Sequence, residues 1–69
     1  MARLKINGKD KEFTGKVPET LAGLFEQLDI EAATVVAEID GQVIGQEDFA
    51  SARLSEGQTI ELVRFVPGG

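Results

Sequence analysis

Sixty-nine residues without a single cysteine or histidine sit near the lower size limit for an independent core. They offer no disulfide or thiolate zinc site as reinforcement, and they lack the commonest general base and the best nucleophile. A hydrophobic fraction of 42% beside 28% charged residues is that of a globular chain, and the net charge of −5 speaks against a nucleic-acid binder, which needs a basic footprint.

The chain opens on "RLKINGKDKEF". Leu4 and Ile6 alternate with Arg3 and Lys5, and Phe13 restores the apolar face after Asn7-Gly8. Asn-Gly between alternating runs signals a hairpin, because both central residues of a type I′ turn need positive φ. A longer turn that takes in Lys9-Asp10 is the alternative. The lysines of this stretch are expected on one solvated sheet face.

Next comes "PETLAGLFEQLDI", where Leu21, Leu24, Phe25 and Leu28 fall at i, i+3, i+4 and i+7, one face of an amphipathic helix. Thr20 is the expected N-cap, although Pro18 also suits a first helical position. Gly23 costs a helix about 1 kcal/mol relative to Ala, and close packing on a sheet is the expected reason. With no glycine at its C-terminal end, the helix is expected to fray near Asp29.

"TVVAEIDGQVIG" repeats the hairpin device with Asp40-Gly41 between two strand-like runs. A short irregular or 3₁₀ stretch is expected near "QEDFASA", where Phe49 reads as a plug packing the connection onto the core. Gly57 precedes the closing run "QTIELVRFV". There Ile60 and Leu62 take the core face, and continued alternation puts Val63 and Phe65 on the other side with Glu61. That apolar pair is either a docking patch or surface partly covered by sheet curl. Hairpin, helix, hairpin and closing strand make one two-layer α+β domain over residues 1–69, with the first and last strands as candidates for a central parallel pair.

Function is constrained mostly by exclusion. Adjacent Glu47-Asp48 reads as a solvated loop, and no glycine-rich phosphate loop or metal-ligand spacing occurs. No apolar run approaches the roughly 20 residues that span a bilayer, and "MARLKING" is too short and mixed for a signal peptide. The expectation is a soluble cytoplasmic protein that binds neither nucleic acid nor membrane. Charge is uneven: residues 1–16 are net +3 and residues 17–69 net −8. The acidic portion suits a partner protein with a basic docking surface.

The chain from "LKINGK" through "TLAGLFEQL", "VVAEIDGQVI", "EDF" and "RLSEGQTIELVRFV" to the final "GG" resembles the ThiS family, the sulfur carriers of thiamine biosynthesis. Each motif is short, but their order, spacing and total length are specific together. The resemblance implies a ubiquitin-like β-grasp fold, a mixed sheet of four or five strands packed on one main helix. Two positions depart from the family pattern: Gly57-Gln58 where Gly-Asp is common, and Pro67 where a small flexible residue precedes the diglycine.

The resemblance also implies a non-enzymatic carrier, monomeric when free, whose reactive group is the carboxylate of Gly69 in a flexible tail of residues 66–69. An E1-like adenylating enzyme would activate it with ATP and magnesium, neither bound by the carrier itself. A sulfur donor such as a cysteine desulfurase would convert it to a thiocarboxylate, and thiazole synthase would receive the sulfur. Gly68 gives backbone clearance in a narrow partner site, Pro67 stiffens the tail and directs Val66 towards an extended conformation, and Phe65, Val63 and Arg64 are the recognition candidates. The alternatives are a molybdopterin-synthase small subunit, another ubiquitin-like sulfur carrier or protein modifier, and a plain ubiquitin-like interaction domain. An acyl carrier is excluded, since neither Ser51 nor Ser55 lies in an Asp-Ser-Leu site.

Overall fold

A computed structural model describes residues 1–65. Strands β1 (Ala2–Ile6) and β2 (Lys9–Phe13) form the first hairpin, followed by helix α1 (Leu21–Leu28). Strands β3 (Val35–Ile39) and β4 (Gln42–Ile44) form the second hairpin, and β5 (Thr59–Arg64) closes the sheet. The strand order is β2-β1-β5-β3-β4, with β5 parallel to β1 and antiparallel to β3. The first and last strands thus pair in the centre, as expected. Both hairpins use two-residue turns, with Asn7 and Asp40 at φ 50° and Gly8 and Gly41 at φ 82° and 86°.

One face of the sheet carries the core. Leu4 and Ile60 are fully buried there with Ala37, and Leu21, Leu24 and Phe25 of α1 pack against them. Phe49 is buried as the expected plug, its ring meeting Phe25 edge-on at 5.0 Å between centroids. It belongs to the connection between β4 and β5, which begins with a 3₁₀ turn at Gln46–Asp48. A second 3₁₀ turn, Ala32–Thr34, leads into β3 and was not anticipated.

The helix begins at the expected cap, the Thr20 hydroxyl accepting the Gly23 N–H at 3.2 Å. Its other end departs from expectation. Asp29 adopts the left-handed conformation at φ 58°. The Asp29 N–H then reaches the Glu26 carbonyl, and the Ile30 N–H reaches that of Phe25 at 2.8 Å. This is a Schellman closure rather than a frayed end, possible because a short polar side chain tolerates that conformation. Gly23 also differs from expectation: a Cβ there would meet Thr20 Oγ1 at 3.5 Å and Pro18 Cβ at 3.7 Å, not the sheet.

The lysines divide between the faces. Lys5 and Arg3 point outward, away from the helix, but Lys11 lies opposite Leu4 and Lys9 opposite Ile6, which puts them on the helix side. Both are exposed, because β2 is an edge strand that α1 does not cover there. The unusual Gln58 has a local role, its side-chain oxygen accepting the Ser55 N–H at 2.8 Å across the Gly57 turn.

Candidate functional site

The closing strand is held at its start by the two hairpin turns. Residues at positive φ have left the ladder, and their short side chains act as substitute strand groups. Asp40 Oδ1 accepts the Thr59 N–H at 2.9 Å, while the Asp40 N–H donates to the Thr59 carbonyl at 2.8 Å. On the other flank the Asn7 N–H donates to the Ile60 carbonyl at 2.9 Å, and Asn7 Oδ1 accepts the Leu62 N–H at 2.8 Å.

The far end is fixed differently. The Phe65 N–H donates to the Thr34 carbonyl at 2.8 Å. Thr34 is itself braced, its N–H and hydroxyl both donating to the Glu31 carbonyl. The path of the chain is therefore set up to Phe65. Gly69, the expected reactive residue, and Gly68, Pro67 and Val66 lie outside the described residues.

The strand register assembles a surface on the outer face of the sheet. Val63 lies directly opposite Val36, and Glu61 opposite Glu38. Val43 is paired with Glu38 from the other side. Val63 is 62% exposed, Val43 62%, Val36 44% and Phe65 40%. Val63 and Phe65 are thus both exposed on the outer face as the alternation required, Phe65 the more covered of the two. Arg64 is separated from them: it lies opposite the buried Val35 and so belongs to the helix-side face. It is exposed and forms no ion pair among the described residues.

Sequence reasoning missed Val36 and Val43 as members of this surface. The signal was present in "VVAEI", where inward Val35 and Ala37 leave Val36 and Glu38 facing out. The outer face is acidic and apolar around β3, β4 and β5. At β1 and β2 it is zwitterionic, with Arg3 within 3.7 Å of Glu12 and 4.0 Å of Asp10; exposed pairs of this kind contribute at most about 1 kcal/mol.

Among the described residues no group of three or more His, Cys, Asp or Glu could hold a metal ion. Open clefts lie elsewhere among the described residues. One, of about 330 Å³, lies beside Lys11, Lys16 and Gln27; another, of about 390 Å³, beside Val17, Glu19 and Leu54. Neither is lined by residues of β5. No helix among the described residues is long and apolar enough to cross a membrane. The arrangement is a rigid sheet presenting an apolar–acidic surface next to the start of the tail, which suits recognition by another protein.

Comparison with known proteins matches nearly the whole length of this chain. The model of the ThiS family matches residues 4–69. The sulfur carrier protein ThiS of Bacillus subtilis (strain 168) is 35% identical over 69 residues, covering 96% of this chain and 98% of that protein. A thiazole synthase of Paramagnetospirillum magneticum (strain ATCC 700264 / AMB-1) is 25% identical over 67 residues, which is 97% of this chain but 20% of that protein. The crystal structure of the thiamine biosynthesis protein ThiS from Geobacter metallireducens superposes with a TM-score of 0.83 at 28% identity, covering 97% of this chain and 99% of that one. The solution structure of a thiamine biosynthesis protein from the same organism gives 0.78 at 28% identity, covering 97% and 87%.

Proposed function

The chain belongs to the ThiS family, the sulfur carriers of thiamine biosynthesis, and from that premise we propose that its reactive group is the carboxylate of Gly69. The observation that carries this reading is the reach of the family match: it spans residues 4–69, so the diglycine falls within the matched segment.

A carboxylate is a poor electrophile until one of its oxygens becomes part of a good leaving group. In the proposed sequence an E1-like enzyme, using ATP and magnesium, transfers AMP to the Gly69 carboxylate and releases pyrophosphate. Sulfur then attacks the activated carbonyl and displaces AMP. Hydrosulfide gives the thiocarboxylate directly; a cysteine desulfurase persulfide gives an acyl disulfide, which a thiol cleaves to the thiocarboxylate and a new disulfide.

This chain's own contribution is presentation. Gly68 and Gly69 lack the Cβ that would hinder entry into a narrow site, Pro67 and Val66 set the approach, and Val63 and Phe65 supply apolar contact area near the tail. Arg64 presents its charge on the opposite side. The partner enzymes do the chemistry, in the cytoplasm, and the free carrier is monomeric. Thiazole synthase is the proposed acceptor. The thiazole synthase that contains a segment similar to this chain supports that pairing.

The test is to incubate the protein with an E1-like enzyme, ATP, magnesium and a sulfur source, then measure its intact mass. Replacement of one oxygen by sulfur is expected, abolished by deleting Gly69; an unchanged mass with a competent enzyme would overturn the reading. Loss of the protein is expected to create a thiamine requirement, whereas a molybdenum-cofactor defect would reassign the pathway.

A further inference from the structure

The central strand β5 outlasts one of its neighbours. On the β1 side, Lys5 donates to the Gln58 carbonyl and Asn7 to that of Ile60, and backbone pairing between β1 and β5 ends at Ile6↔Ile60. The next rung is supplied by a side chain, Asn7 Oδ1 accepting the Leu62 N–H. Beyond it the chain has turned away into β2, while β5 continues to Arg64 with only β3 alongside.

Successive residues of a strand direct their N–H and C=O groups to alternate sides. The bonds of Gln58, Ile60 and Leu62 place the even-numbered residues on the β1 side. The Leu62 carbonyl and the Arg64 N–H and carbonyl therefore point into a notch, and none has a hydrogen-bond partner among the described residues. An unpaired row of this kind is a template for an added strand.

Resting on the sulfur-carrier reading, we infer that this notch receives an extended segment of the adenylating partner, which pairs with Leu62–Arg64 and guides the tail that follows. Proximity argues for that occupant: Gly69 follows Arg64 by only five residues, which keeps a protein that takes Gly69 into its site within reach of this edge. Outer-face Glu61, the residue before Leu62 on β5, favours a segment carrying a basic side chain there.

The test compares Arg64→Pro with Arg64→Ala in binding to the E1-like adenylating enzyme. The two variants lose the same side chain, and one also loses the edge donor. Arg64→Pro is expected to bind at least about fivefold more weakly than Arg64→Ala, as for one backbone hydrogen bond. Equal affinities, with the wild-type protein still binding and being activated, would overturn the strand pairing alone. A wild-type protein that neither binds nor is activated would overturn the carrier reading and this inference together. Should Arg64→Pro fail to fold, amide exchange of the wild-type protein decides: the Arg64 N–H is expected to exchange rapidly when free and to be protected in the complex. Protection in the free protein through a dimer would assign the notch to a second copy and overturn the proposal.

Discussion

Asn7 and Leu62 stand 55 positions apart, yet the side-chain oxygen of Asn7 accepts the Leu62 N–H at 2.8 Å. The turn residue thereby lengthens the central parallel pair by one rung. Because Asn7 also holds φ 50°, its replacements separate two effects. Asn7→Asp keeps the acceptor and is expected to stay close to wild type. Asn7→Gly loses the bond but relieves the backbone, and Asn7→Ala loses both, at a total of about 2 kcal/mol. The order Asp, Gly, Ala in urea midpoints checks this; a glycine variant more stable than the aspartate would show that backbone relief outweighs the bond.

Gly23→Ala is expected to stabilise the protein. The position is helical, and the added methyl meets Thr20 Oγ1 and Pro18 Cβ at ordinary contact distances. The gain is about 0.5–1 kcal/mol, a rise of roughly 4–8 °C in Tm per kcal/mol for a domain of this size. A lower Tm would mean that the cap at Thr20 cannot accommodate the methyl group.

Glu38 and Glu61 oppose one another on adjacent strands, an arrangement that destabilises a sheet. Glu38→Gln is expected to raise stability by a few tenths of a kcal/mol and to reduce its dependence on salt, which screens the repulsion in the wild type. The same substitution is expected to weaken association with a basic partner surface. Thermal melts at low and high salt, paired with binding measurements, separate the two effects; a variant less stable at low salt would refute the repulsion.

Much of this architecture was legible because its punctuation is local. Asn7-Gly8 and Asp40-Gly41 name their turns, and the spacing of Leu21, Leu24, Phe25 and Leu28 names the helix face. The left-handed cap at Asp29 was not legible, since aspartate tolerates that conformation without requiring it. The faces of Lys9 and Lys11 depended on the exact hairpin register and on how far α1 extends over β2. The outward direction of Val63 and Phe65 followed from strand alternation, whereas how far sheet curl covers them did not. The notch beside Arg64 did not, because it arises from a difference in length between strands far apart in sequence.

Phe65 is where fold and recognition separate most cleanly. Its backbone N–H anchors the end of β5 to Thr34, and Phe65→Ala preserves that bond. The residue remains 40% exposed, in contrast to Phe25, which is buried against Phe49. Phe65→Ala is therefore expected to lower stability by less than about 1 kcal/mol, while Phe25→Ala loses about 3–5 kcal/mol. Binding to the adenylating enzyme should respond in the opposite order, Phe65→Ala weakening it by about tenfold, as for an aromatic contact at an interface. Calorimetric unfolding and titration of the two proteins read both quantities on the same variant. A large stability loss with unchanged affinity would place Phe65 in the core and leave Val36, Val43 and Val63 as the contact surface.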